Sequence, residues 1–108
     1  MLQRNWGRVI FVSSEAAAET HPDMIHYGVT KTGQVVVSRG LAEMTKGTRV
    51  TVNAVLPGPT RSEAIVDYLQ GLASTPNATP AQAEQEFFEK HRPTSLLQRM
   101  AEEREVAT

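Results

Sequence analysis

Two short runs of apolar and β-branched residues, separated by one long helical pattern, constrain this chain more than anything else in it. Arg8-Val9-Ile10-Phe11-Val12 keeps its apolar character without a break and stops at Ser13-Ser14, the pattern of a strand buried on both faces inside a parallel sheet. Val50-Thr51-Val52-Asn53-Ala54-Val55-Leu56 is the second run, and it ends at Pro57-Gly58-Pro59. Proline offers no amide to a ladder, and glycine permits a sharp turn. Between the runs, Val29, Gly33, Val36, Val37, Gly40, Leu41 and Met44 recur at intervals of three and four, which predicts an apolar helical stripe. Lys46-Gly47 then supplies a basic last turn and a C-terminal glycine. Strand, helix and strand in this order make a βαβ unit, whose crossover is right-handed in nearly all proteins. Ser14 and Pro57-Gly58 both fall at the carboxyl ends of its strands, the edge where open α/β sheets bind ligands.

Past the second strand, Thr60-Arg61-Ser62-Glu63 has the form of a capping box. It predicts a short helix to about Gln70, closed by Gly71. Residues 73–79 read as a flexible connection, and Thr79-Pro80-Ala81-Gln82 predicts another capped helix with proline in its first turn and Phe87 and Phe88 as its apolar payload. After Pro93 a loop leads toward a further helix that the chain end cuts short. There is no internal repeat and no low-complexity tract.

Composition narrows the function classes. With 108 residues, 40% hydrophobic and 21% charged, the chain reads as one globular domain or a piece of one. A formal net charge of -1 gives no electrostatic reason to expect nucleic acid or an anionic membrane as partner. The absence of cysteine excludes disulfides, thiolate nucleophiles and cysteine-ligated zinc. His21, His26 and His91 lack metal-ligand spacing, and no metal is expected. No run approaches the roughly 18 apolar residues of a membrane span, and Met1 to Trp6 lacks the apolar core of a signal peptide. The expectation is a cytoplasmic protein acting on a small molecule.

Ser14, Tyr27 and Lys31 supply the chemistry. Tyr27 and Lys31 are four positions apart, so on one helix they are neighbours on adjacent turns, about 5–6 Å apart at Cβ. A free phenol, with a pKa of about 10, is a poor base at neutral pH. A cation about 4 Å away, at an effective dielectric of about 20, favours the ionised form by roughly 4 kcal/mol. Desolvation offsets part of this, yet a lysine at this spacing can bring the phenol toward the working range of an acid–base catalyst, and a nearby serine hydroxyl can hold the alcohol or carbonyl oxygen being worked on. Ser13 competes with Ser14 for that place; the thirteen-residue interval to Tyr27 favours Ser14.

Three blocks in this order, Gly7-Arg8-Val9-Ile10-Phe11-Val12-Ser13-Ser14, Tyr27-Gly28-Val29-Thr30-Lys31 and Val52-Asn53-Ala54-Val55-Leu56-Pro57-Gly58-Pro59-Thr60, strongly resemble the short-chain dehydrogenase/reductase family. The resemblance implies an NAD(P)-dependent oxidoreductase that moves hydride between nicotinamide and a carbonyl or secondary alcohol. It implies that Ser14 holds the substrate oxygen, that Tyr27 is the general acid/base, and that Lys31 makes Tyr27 more acidic and binds the nicotinamide ribose. It further implies that Pro57-Gly58 lines the nicotinamide and that Thr60 contacts its carboxamide or the phosphates. Read from the residues alone, Thr60 is equally a helix cap. The segment from Leu97 to Ala107 is similar to the entry of the family's last large helix, without the proline that most members place before its two acidic residues.

The departures concern whole elements. The family binds dinucleotide pyrophosphate with a glycine-rich turn at a helix N-terminus, whereas the seven glycines here, at positions 7, 28, 33, 40, 47, 58 and 71, form no such cluster. The asparagine that completes the family's catalytic tetrad and the final strand are also missing. The expected fold class is therefore α/β: a partial Rossmann-type doubly wound sheet, with residues 8–60 as catalytic βαβ core, 61–93 as substrate-lid region and 94–108 as the start of a truncated last helix. The cofactor, NAD or NADP, would need the missing N-terminal half. In the family the helix matching residues 28–46 pairs across a dimer interface, implying a homo-oligomer here. The other expectation is a non-catalytic fragment that chiefly self-associates, because a two-strand parallel sheet leaves faces and edges uncovered.

Overall fold

The computed structural model describes all 108 residues. They divide into two compact units, Met1–Pro57 and Gly58–Thr108.

The first unit is the βαβ motif. Strands β1 (Gly7–Val12) and β2 (Val50–Val55) pair in parallel, from Gly7 opposite Val50 to Val12 opposite Val55. The pairing continues past the strand ends, where the Ser13 amide donates to the Val55 carbonyl at 2.9 Å and the Glu15 amide to the Pro57 carbonyl at 3.0 Å. In both strands the burial alternates, so only one face is covered, and the expectation of strands buried on both faces does not hold in this chain. One helix covers one face of a two-strand sheet; Ile10 and Val12, on the other, are more than half exposed.

That helix, α1 (Ile25–Met44), is entered through a 3₁₀ turn at Pro22–Met24. It turns inward a face that periodicity does not single out: Gly28 and Ser38 are buried, and Tyr27, Lys31, Gln34, Val35 and Ala42 half-buried. The apolar stripe lies outward, with Val29 68%, Val36 65% and Met44 74% exposed. Gly28 is required by a close approach, since a Cβ there would sit 2.5 Å from the Thr20 methyl and hydroxyl. Lys46 and Gly47 fall beyond the helix, which ends at Met44 with the Thr45 hydroxyl bonded to the Ala42 carbonyl at 2.9 Å. Gly47, at φ +80°, serves the turn that follows.

The second unit is helical. Helix α2 (Glu63–Leu72) is capped by Ser62, whose hydroxyl accepts the Ile65 amide, and it runs through Gly71. The capping box expected at Thr60 does not form: the helix begins only at Glu63, and the backbone around Thr60 pairs with Ala101 instead. Helix α3 (Pro80–His91) has its expected box: the Thr79 hydroxyl accepts the Gln82 amide, and the Gln82 side chain accepts the Thr79 amide. A five-residue helix, α4 (Glu103–Ala107), closes the chain. Leu69, Ala83, Phe87, Phe88 and Met100 form the core. Phe87 and Phe88 meet edge to face, with centroids 5.4 Å apart, worth about 0.5–1.5 kcal/mol beyond the area they bury. No helix of the chain is long and apolar enough to cross a membrane.

Candidate active site

Four of the six expected site residues, Ser14, Tyr27, Lys31 and Pro57, belong to the first unit. β1 carries the chain to Ser13 and Ser14 at its carboxyl end. The two serines then part in role. Ser13 is buried at 5% exposure, and its hydroxyl donates to the Lys31 carbonyl at 2.8 Å. Its proton is thereby committed to bracing α1 against the strand end. Ser14 is half-buried, in extended backbone, and its hydroxyl accepts the Ala16 amide at 3.2 Å. An oxygen that accepts still has its own proton to give. The Glu15–Pro57 hydrogen bond places Pro57 beside Ser14 across the sheet edge.

Tyr27 and Lys31 project from the first turns of α1, on the side turned toward the sheet. The Lys31 ammonium lies 5.5 Å from the centre of the Tyr27 ring and donates to the Val12 carbonyl at 3.2 Å. Val12 is the last residue of β1, two before Ser14. Lys31 thus has both ends fixed to the β1 terminus, its carbonyl by Ser13 and its ammonium by Val12. Neither tie was legible in the sequence, because residue spacing does not report a bond from a side chain to a distant backbone oxygen. The ammonium lies over the Tyr27 ring and against the strand carbonyl. Gln34, one turn further along α1, has a buried side-chain oxygen with no hydrogen-bond partner.

Gly58 and Thr60 belong to the second unit. The backbone around Thr60 is held by a one-rung parallel bridge: the Arg61 amide donates to the Ala101 carbonyl at 2.8 Å and the Ala101 amide to the Pro59 carbonyl at 2.9 Å. The Thr60 hydroxyl gives its proton to the Gly58 carbonyl, which leaves its oxygen free to accept. Arg61, which no motif or periodicity singles out, bonds Glu84 and Glu102, each at 2.9 Å. These carboxylates raise its pKa above the usual guanidinium value, Glu102 most.

The first unit is a parallel βαβ unit with a serine at one strand end and a tyrosine–lysine pair one helical turn apart. The family model for short chain dehydrogenase matches residues 1–71, and the chain belongs to that family. It is 47% identical over 107 residues to the uncharacterized oxidoreductase YvrD of Bacillus subtilis (strain 168), a match covering 99% of this chain and 41% of YvrD. Among solved structures, it shares the fold of L-sorbose reductase from Gluconobacter frateurii, complexed with NADPH and L-sorbose, at a TM-score of 0.78 and 22% identity over 97% of this chain and 39% of that one. It also shares the fold of NAD+-bound xylitol dehydrogenase, at a TM-score of 0.69 and 20% identity over 94% of this chain and 40% of that one. The chain therefore spans about two fifths of the length of these relatives, and its α/β architecture is a part of their Rossmann-type fold.

Proposed function

We propose that this chain is the proton-handling part of an NAD(P)-dependent oxidoreductase that interconverts a small carbonyl compound and the corresponding secondary alcohol. The observation that carries this reading is the double attachment of Lys31 to the β1 terminus, which holds the Tyr27–Lys31 pair at the same strand end as Ser14. In the reducing direction Tyr27 gives its phenolic proton to the carbonyl oxygen, and in the oxidising direction its phenolate takes the alcohol proton. Ser14 donates its free hydroxyl proton to the same oxygen, while Ser13, with its proton engaged, cannot.

The residues present fit the nicotinamide end of a dinucleotide and not its diphosphate. In the first unit the Lys31 ammonium has donors left for ribose hydroxyls, and in the second Thr60 has a free acceptor oxygen suited to a carboxamide N–H. No glycine cluster of the chain can cradle a pyrophosphate. A bound nicotinamide dinucleotide supplies or accepts the hydride. Either NAD or NADP is consistent with the fold relatives, and residues 61–93 are assigned to substrate recognition. The setting we propose is cytoplasmic, with neither nucleic acid nor a membrane as partner.

Replacing Tyr27 by Phe in the full-length protein is expected to lower kcat by about 100- to 10,000-fold, the usual range for losing a general acid/base, with little loss of cofactor affinity although Tyr27 also borders the cofactor in this reading. Turnover within threefold or so of the wild type would sink the assignment.

A second reading, a non-catalytic chain that mainly self-associates through residues 28–46, is favoured by the exposed outer stripe of α1. Sedimentation showing a monomer at all concentrations would remove it.

A further inference from the structure

We propose that Arg61 is a positioning residue for the turn assigned to the nicotinamide, acting as a clamp that fixes Pro59 and Thr60. The inference rests on the redox reading above and adds to it a residue with no chemical role of its own.

The turn needs such a device. Beyond Pro57, its backbone at Pro59 and Arg61 is held by a single bridge rung, two hydrogen bonds to Ala101, and one rung has no neighbouring rung to cooperate with. The guanidinium makes up for this on both sides. Its Nε bonds Glu102, the residue after Ala101, and its Nη2 bonds Glu84 on α3. Glu84, only 13% exposed, uses its other oxygen to accept the Met100 amide at 2.8 Å. Met100 is 1% exposed and belongs to the core. Residues 100 and 102, the two flanks of the bridge partner Ala101, are thus tied to Arg61 through carboxylates, and the tie ends in the most buried part of the unit. Glu102 is in turn the cap of α4, in a reciprocal box with Glu105. Two charge-assisted bonds from one planar fork fix direction as well as distance, which lysine cannot reproduce. A Thr60 oxygen left free to accept is useful only if the turn that presents it does not move.

In the full-length protein, Arg61→Ala is expected to raise KM for NADH or NADPH about tenfold while kcat at saturating cofactor stays within about twofold, the pattern of lost uniform binding. Arg61→Lys is expected to fall between, and Arg39→Ala, which breaks an exposed pair with Glu43 on α1, to change neither constant. In the 108-residue chain, amide exchange at Arg61 and Ala101 should quicken in Arg61→Ala while the Phe88 amide stays protected, which shows that the variant remains folded. Unchanged KM in Arg61→Ala, alongside an inactive Tyr27→Phe, overturns the clamp and leaves the redox reading standing. Turnover that survives Tyr27→Phe overturns the redox reading and the cofactor role of Arg61 with it. If Arg61→Ala does not fold, Glu102→Gln, which removes one arm of the clamp, must raise KM in the same selective way, and failure to do so overturns the proposal.

Discussion

The two units solve the problem of holding shape in opposite ways. In the second, Leu69, Ala83, Phe87, Phe88 and Met100 are buried together; in the first, the only apolar residues buried to that degree are Ala16 and Val50. The first unit is tied by polar bonds at long sequence separation: Ser13 to the Lys31 carbonyl, Lys31 to the Val12 carbonyl, Thr32 to the Ala17 carbonyl at 3.1 Å. Its apolar surface, the outer stripe of α1 and the open sheet face, remains exposed. The residues assigned to proton transfer therefore sit in the unit with the weaker apolar core, where local hydrogen bonds give orientation and little stability. Net contributions of about 0.5–1.5 kcal/mol per hydrogen bond do not replace the roughly 25 cal/mol per Å² of buried apolar surface. What the first unit lacks, it must obtain by covering that surface.

The largest effect that would sharpen this contrast is expected at Phe88, 1% exposed. Phe88→Ala should cost about 3–5 kcal/mol, as truncations of buried aromatics do, and should melt the second unit first. Trp6, the sole tryptophan, lies in the first unit, so its fluorescence reports that unit alone in a urea titration. A Trp6 transition that shifts as far as the overall helical signal would break the comparison, because it would mean that one core serves both units.

A smaller effect tests the open surface. Val36→Lys on the outer stripe of α1 removes apolar area that nothing in the chain covers, so it should leave monomer stability within about 0.5 kcal/mol and weaken self-association in sedimentation velocity. Association unchanged by the lysine would show that the stripe is not where copies meet.

The sequence made the local features legible and left the distant ones hidden. β1, β2 and α1 followed from apolar runs and periodicity, and the Thr79 cap and the Phe87–Phe88 payload from residue type and position. Periodicity points to the stripe of valines and leucine as the packed face of α1 because it is the most apolar side, whereas close packing on the strands selects small residues, Gly28, Ser38 and Ala42. Gly71 predicts the end of α2, yet the helix continues one residue beyond it, since a glycine inside a helix costs only about 1 kcal/mol. The cap falls on Ser62 and not on Thr60 because the backbone around Thr60 is engaged in the bridge to Ala101, which periodicity does not report. Arg61, 23 residues from Glu84 and 41 from Glu102, belongs to no periodic pattern, and only the fold brings these charges together. Of the candidate site, the residue types and their order were readable. The separation of Ser13 from Ser14 by proton commitment was not.

The smallest predicted effect separates the units by charge. In the second unit Glu86 accepts from Lys90 first, then from the Ser74 hydroxyl and amide, and its pKa is lowered to about 2. Glu105, held by Arg99 and by the Glu102 amide, is likewise lowered to about 2. A carboxyl whose folded pKa is depressed contributes its full stabilisation above the unfolded value of about 4.5 and loses it as pH falls toward the folded one. Acidification from about pH 5 to about pH 2 should therefore loosen the Ser74 loop and the start of α4 progressively, with the carboxylates the last partners to let go. Both pairs are open to water, so each is a minor term that salt reduces further. The amide resonances of Ser74 and Glu102 should follow this titration at low salt, and Glu86→Gln and Glu105→Gln should each abolish it at one site. Midpoints near 4.5 at both amides would show that the carboxylates are not engaged, and would remove the electrostatic difference between the units.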